Sequence, residues 1–372
     1  MANFTLKNAT SNLNWLVKNK AEAQSLTRDT ATYSRNSTPF ISVNYPEEIK
    51  VLTGNTAATA ESGRCVFQKK VPAGDTNVFY SHSNYTGSFK FGIQIYNTGA
   101  NPITVKKLKY GNVLGWNSYD AAKTFLDDSA ITQQTISGYG NWWIKEHDIP
   151  SSSFLPFCGH LLFNSTGEVI VTIYIFQKKT NISGNESIFV YPTNGWNKDK
   201  YSGAGIGDVL SKTVNLTIDS SSVSGMSNLG KNNYWFMTGE PNNPDAGADI
   251  TPLTLQDGSV ARYNAASPRN NLGNWGTRYV YTINIQNKTS AAKTLYGFVS
   301  SYNARVAIKS ANTVGKNLET NTTWRFIEET IPAGSSKTLN YTYMLASYGC
   351  GAVSHMFSLK PVSYTHLAGV GA

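Results

Sequence analysis

Over most of the chain apolar and polar residues alternate in short runs, and Gly, Asn, Pro and Ser separate one run from the next. Alternation with period two sends one side chain into a core and the next into water, so the pattern predicts strands joined by tight connections. The run Val169–Phe176 is apolar on both faces, which predicts a strand in the middle of a sheet. Helical spacing is confined to residues 13–24, where Trp15, Leu16 and Ala21 supply the apolar positions, and to residues 119–126. Parallel strands need long crossovers, usually helical, and helices are scarce here, so antiparallel pairing is expected. The fold class that follows is all-β, built of antiparallel β-sandwiches of the jelly-roll or immunoglobulin-like kind.

The pattern also repeats. Phe89–Asn97 matches Tyr279 to Asn287, each with two aromatics and two isoleucines on one face and a closing Asn. Further on, Trp142, Glu146, Ile149, Pro150 and Gly167 recur at the same spacing as Trp324, Glu328, Ile331, Pro332 and Gly349. An internal duplication is expected, with an N-terminal segment over 1–40 and tandem domains over 41–200 and 205–362. The Gly/Ser/Asn-rich stretch 194–207 is the candidate junction, and its Gly203-x-Gly205-x-Gly207 reads as a flexible loop rather than a phosphate loop.

Length agrees with two domains, since 372 residues exceed the usual size of one. Charged residues make up only 15% of the chain, and 21 tyrosines and 16 phenylalanines suit pleated, half-buried faces. The net charge of +9 suggests attraction to an anionic or sugar-bearing polymer. Its lysine pairs (Lys69-Lys70, Lys106-Lys107, Lys178-Lys179) lie in strand-like stretches without a nucleic-acid motif, so no nucleic-acid partner is expected. Cys65, Cys158 and Cys350 allow either one disulfide with a free thiol or three reduced cysteines. No run of 18 apolar residues predicts a transmembrane segment, and the start Met1-Ala2-Asn3-Phe4 carries no basic-then-apolar signal region.

The run Val78-Phe79-Tyr80-Ser81-His82, the strand Phe91-Gly92-Ile93-Gln94-Ile95-Tyr96-Asn97 and the stretch Ile331-Pro332-Ala333-Gly334-Ser335-Ser336 carry a resemblance. The chain resembles tandem β-sandwich surface proteins of Gram-positive bacteria, often fused to copper-amine-oxidase N-terminal-like stalk modules. That resemblance spans roughly residues 41–360 and implies an exported, wall-associated, non-enzymatic role. The last residues, Pro361-Val362-Ser363-Tyr364-Thr365-His366-Leu367, are similar to a peptide produced when adaptor DNA is read through, so 363–372 is expected to be a non-native tail.

No catalytic constellation emerges. Cys158-Gly159-His160 and Cys350 with His355 lack an aligned base and a third orienting group, so buried core cysteines are expected. Asp120 with Asp127 or Asp128, and Glu328-Glu329, would have to span a cleft to hydrolyse glycosides, and paired acids more commonly serve solvated turns. The five histidines show no metal-ligand spacing. Asp245, Asp249 and Asp257, in a stretch rich in Asn, Pro and Gly, could hold calcium, although the same residue types also simply build turns. Exposed tryptophan near loops is the best binding chemistry available, because an indole face stacks on sugar rings. Trp142 and Trp324 recur and are expected in the core, whereas Trp116 and Trp196 are unmatched and flank loops, which makes them the candidate ligand-binding residues. The expected role is therefore a non-enzymatic extracellular or cell-surface protein, structural or adhesive, binding a cell-wall polymer or polysaccharide. The alternatives are a pair of carbohydrate-binding modules and a capsid or appendage subunit.

Overall fold

The computed structural model describes residues 7–8, 33–44, 48–49, 64–85, 88–176, 202–219, 222–224, 233–238, 253–254, 274–301, 306–310, 313–314, 322–347 and 353–359. The chain is all-β apart from one helix among the described residues. It divides into two compact units, the first Ser37–Asp208 with Thr251–Asn271, the second Met1–Asn36, Val209–Ile250 and Leu272–Ala372.

In chain order the strands begin with β1 (Lys7–Asn8) and β2 (Ser34–Arg35), which belong to the second unit. The first unit then supplies β3 (Pro39–Val43), β4 (Glu48–Ile49), β5 (Arg64–Val71), β6 (Gly74–Asn84), β7 (Phe89–Asn97) and β8 (Ile103–Leu114). Helix α1 (Ser118–Asp127) follows, then β9 (Thr132–Ile136), β10 (Asn141–Ile149), β11 (Leu155–Ser165), β12 (Val169–Phe176) and β13 (Gly203–Ile206). One sheet runs β13-β3-β6-β11-β8-β9 with β4 beside β6, and the other runs β10-β7-β12-β5. Both sheets feed one core, with Val78, Tyr80, Phe157 and Leu161 from the first and Phe91, Ile93, Val171 and Ile173 from the second. The doubly apolar β12 sits between β7 and β5, as its composition predicts.

The second unit adds β14 (Val209–Asp219), β15 (Ser222–Ser224), β16 (Asn233–Thr238), β17 (Arg278–Asn287), β18 (Lys293–Ser301) and β19 (Val306–Ser310). It ends with β20 (Thr313–Val314), β21 (Thr322–Ile331), β22 (Ser336–Leu345) and β23 (Val353–Ser358). Its sheets run β15-β14-β17-β22-β19-β20, with β2 beside β14, and β1-β21-β18-β23-β16. Their shared core is rich in tyrosine, with Tyr279, Tyr281, Tyr341 and Tyr343 all buried. Tyr33 donates or accepts at the Tyr281 hydroxyl (2.8 Å), the Asn274 amide donates to Tyr279 (2.7 Å), and Tyr341 bonds His355 Nδ1 (2.8 Å). Buried phenols need such partners, because an unpaired one costs about 1–3 kcal/mol.

Three expectations change. First, pairing is not wholly antiparallel: β3 runs parallel to β6 and β14 parallel to β17. Among the described residues, each crossover that parallel pairing needs includes a strand of the opposite sheet, β5 in one unit and β16 in the other. Second, the glycine-rich 203–207 is not a loop. Gly203–Ile206 forms β13 against β3, and a Cβ at Gly203 would lie 2.7 Å from the Thr254 carbonyl oxygen, so glycine permits the close approach. Third, Phe89–Asn97 and the matching stretch ending at Asn287 do not hold the same place in their sheets. β7 lies between β10 and β12, whereas β17 lies between β14 and β22, a position that β6 holds in the first unit.

What those two strands share is a corner. Asn97 Nδ2 donates to the carbonyls of Asn101 (2.7 Å) and Ser137 (3.0 Å), while the Gly99 N–H donates to its Oδ1 (2.9 Å). Asn287 Nδ2 donates in the same way to Ala291 (2.9 Å) and Pro332 (3.0 Å), and the Thr289 N–H donates to its Oδ1 (3.0 Å). At the end of β6, Asn84 Nδ2 donates to the Pro150 carbonyl (2.9 Å).

Helix α1 covers the outer face of β8 and β11 with Ala121, Ala122, Phe125 and Leu126. Gly111 makes the contact possible, since a Cβ there would meet the Ala121 carbonyl oxygen at 2.1 Å. Lys109 Nζ donates to the carbonyls of Leu126 (3.3 Å) and Asp128 (2.7 Å), placing a cation where the helix dipole is negative.

Candidate functional site

Strand β8 leaves its sheet through Gly115, whose φ of 121° is open to glycine and not to a bulky residue. The Gly115 N–H donates to the Pro156 carbonyl (2.7 Å), and the Ser118 N–H donates to that of Trp116 (2.9 Å) at the entry to α1. This tight exit throws Trp116 outward, 55% exposed, with Leu114 44% exposed two residues earlier. The indole lies on Phe154 with ring centres 4.7 Å apart, and Phe154 in turn meets Tyr85 edge-on at 4.7 Å. Tyr85 follows β6 and Phe154 precedes β11, so three neighbouring connections bring these rings together at one end of the first unit's larger sheet. Phe154 is itself steadied where its N–H donates to Ser152 Oγ (3.1 Å). A rigid aromatic surface of this kind can stack on an apolar face of a ligand.

Trp116 was legible as a loop tryptophan; Phe154 and Tyr85 were not, because nothing local marks rings that meet only in three dimensions. Trp196, Asp245, Asp249 and Asp257 lie outside the described residues, as do Cys350 and the segment 13–24. Trp142 is half-buried against the first core rather than fully inside it.

A second polar cluster spans the inter-sheet space near β10. Tyr80 bonds Tyr110 through their hydroxyls (3.1 Å), Tyr110 bonds His147 Nε2, and Lys145 Nζ sits 4.1 Å from the Tyr110 ring centre. Burial raises both phenols, and burial, then Lys145, pushes His147 down to about 4. Cys158 is a free, buried thiol raised by burial, and burial pushes His160 down to about 3. Each shift carries its group away from neutrality, where an acid, base or thiolate would work. Asp128 is engaged on both oxygens, accepting from the N–H groups of Tyr110 (2.7 Å) and Ala130 (2.9 Å). Among the described residues no cluster of three or more His, Cys, Asp or Glu could hold a metal ion.

The basic residues are dispersed. Lys106 is exposed and Lys107 buried, because neighbours on a strand point to opposite faces. Lys69 and Lys70 line an open groove of about 430 Å³ with Pro72, Asp75 and Ile206, but Lys70 is paired with Glu168 at 2.5 Å. Among the described residues no helix is long and apolar enough to cross a membrane.

No protein family model matches the chain, and no curated protein matches it. Among solved structures, an anti-sigma factor domain-containing protein from Clostridium clariflavum is similar at 10% identity and a TM-score of 0.17, over 88% of this chain and 94% of that one. A multicopper oxidase from Campylobacter jejuni is similar at 9% identity and a TM-score of 0.12, over 72% of this chain and 47% of that one. The N-terminal CBM22-1-CBM22-2 tandem domain of a Paenibacillus barcinonensis protein is similar at 6% identity and a TM-score of 0.15, over 81% of this chain and 98% of that one. At such scores none of these likenesses carries an argument about this chain.

Proposed function

We propose that the chain is a non-enzymatic extracellular or cell-surface protein with a structural or adhesive role, and that the Trp116 platform is where it grips a sugar-bearing polymer. The observation that carries this reading is an indole more than half exposed yet lying on Phe154, which Tyr85 backs in turn. Supporting it, burial shifts His147, Cys158 and His160 away from neutrality, and the low charged fraction of 15% suits a weakly charged exterior. The lysines add a long-range attraction that salt screens within about 8 Å, whereas stacking is nearly indifferent to salt.

Retention on purified Gram-positive cell walls and on a panel of polysaccharides tests the proposal. Binding should persist at high salt and fall about thirtyfold in Trp116→Ala, near 2 kcal/mol for loss of a central aromatic anchor. Equal retention of parent and variant, or none at low salt, would reject the platform.

The two units are further proposed to be β-sandwiches descended from one duplicated domain. Their sheets share strand order and the parallel pair. Both also carry a bulge at the same place, Ile144 being the extra residue opposite β7 and Phe326 opposite β18, two positions after Trp142 and Trp324. Bulges are conserved features of a fold rather than defects. An experimental structure in which β10–β12 superpose on β21–β23 without bringing Trp142 onto Trp324 and Pro150 onto Pro332 would refute the duplication.

A further inference from the structure

Strand β9 ends the first unit's larger sheet, and its other edge pairs with nothing among the described residues. Its register with β8 runs without a bulge from Ile103↔Ile136 to Lys107↔Thr132. Thr104 settles which groups face outward. The Thr166 N–H donates to the Thr104 carbonyl (3.0 Å), and the Thr104 N–H donates to Thr166 Oγ1 (2.9 Å). Thr104 is therefore turned away from its β9 neighbour Thr135, and the ladder bonds fall on the alternate pairs, Val105–Gln134 and Lys107–Thr132. It follows that Gln133 and Thr135 point their N–H and C=O groups into the open edge.

Natural sheets guard such edges with charge, bulges or covering segments. The other long edges of this unit do so: β5 carries Lys69 and Lys70, β10 carries charged residues and a bulge, and β13 is bridged by Thr254. Among the described residues β9 has none of these. Thr132, Gln133, Gln134 and Thr135 are all exposed and uncharged, and Ile131 before them is 62% exposed.

We propose that β9 is a self-association edge, on which the same strand of a second copy pairs antiparallel about a two-fold axis at Gln133. A two-fold normal to the sheet keeps each side chain on its own face, so Gln133 meets its counterpart and Ile131 meets Thr135 of the second copy. The outward main-chain groups are then matched, and Ile131 is covered. A second copy fits better than a foreign strand for two reasons. Gln and Thr side chains both donate and accept, so the strand is complementary to itself. The chain also carries +9 overall, and β9 itself bears no charge, so the two paired strands add no like-charge contact; the cation of Lys106 lies one strand back, opposite Gln133.

Sedimentation velocity on the full chain from about 1 to 500 μM tests the pairing, since a short edge buries less than the ~1,000 Å² of a tight interface and is weak. The parent should shift from monomer to dimer across this range, more readily at high salt. Gln133→Pro removes only an outward N–H and leaves the bonds to β8 intact, so the variant should fold and stay monomeric, its dimerisation at least tenfold weaker. Thr135→Lys should do the same by charging the edge, and Trp116→Ala should dimerise like the parent. A parent that stays monomeric throughout, even if it captures a foreign strand, overturns the proposal, as does a dimer undiminished by both edge variants or abolished by Trp116→Ala.

Discussion

His160 is buried between Phe79 and Phe125, with ring centres 5.2 and 5.5 Å away, and neither ring nitrogen has a hydrogen-bond partner. It behaves as a flat, nearly apolar filler under α1, which is why burial drives its pKa to about 3. Gly111, beneath the same helix, has the opposite job of being absent. Gly111→Ala should destabilise by about 1–3 kcal/mol or more, because the new methyl meets backbone at 2.1 and 2.4 Å that cannot swing aside. A denaturant midpoint equal to the parent's would show that the helix docks more loosely than described. From sequence, His160 beside Cys158 invited a nucleophile reading. Its environment, set by a helix forty residues earlier in the chain, removes that reading.

The asparagine corners show how a small polar group can hold a strand end. Asn97 and Asn287 each bind carbonyls of a second, distant segment, fixing where one strand leaves and another enters. Asn97→Ala and Asn287→Ala should each cost about 1–3 kcal/mol, since several buried carbonyls lose their donor. Asn84→Ala, which gives up the bond to the Pro150 carbonyl, should be destabilising as well. Chemical denaturation of the three variants checks the losses. The terminal Asn in each repeated run was visible in the sequence, but its meaning was not: the same aromatic-and-isoleucine alternation serves a strand in either sheet, provided one face is buried.

Both units respond to acid through the same physics. His147, His160 and His355 have folded pKa values of about 4, 3 and 3, below the ordinary 6.5, chiefly because burial penalises the charged form. Between these values and 6.5 the unfolded chain binds more protons than the folded one, so stability is full above pH 6.5 and falls as the pH drops toward 3. The slope is at most about 1.4 kcal/mol per pH unit for each fully buried histidine, and less for the half-buried His147. Denaturant midpoints from pH 7 to pH 4 should decline, and His160→Phe should flatten that decline. A parent curve level over this window would mean that the histidines are hydrated in solution.

Alternation, composition and the scarcity of helical spacing were enough for the all-β class, the helix near 119–126, the central position of Val169–Phe176 and the outward Trp116. Each depends on how one residue relates to its near neighbours, and local burial is written locally. The parallel pairs, the strand at Gly203–Ile206, the meeting of Trp116 with Phe154 and Tyr85, and the bare edge at Gln133 and Thr135 were decided only by the closed structure. These depend on which strands become neighbours, a choice made by the shared core between sheets and by backbone approach. Segments far apart in the chain settle it together, and no period in a single run records it.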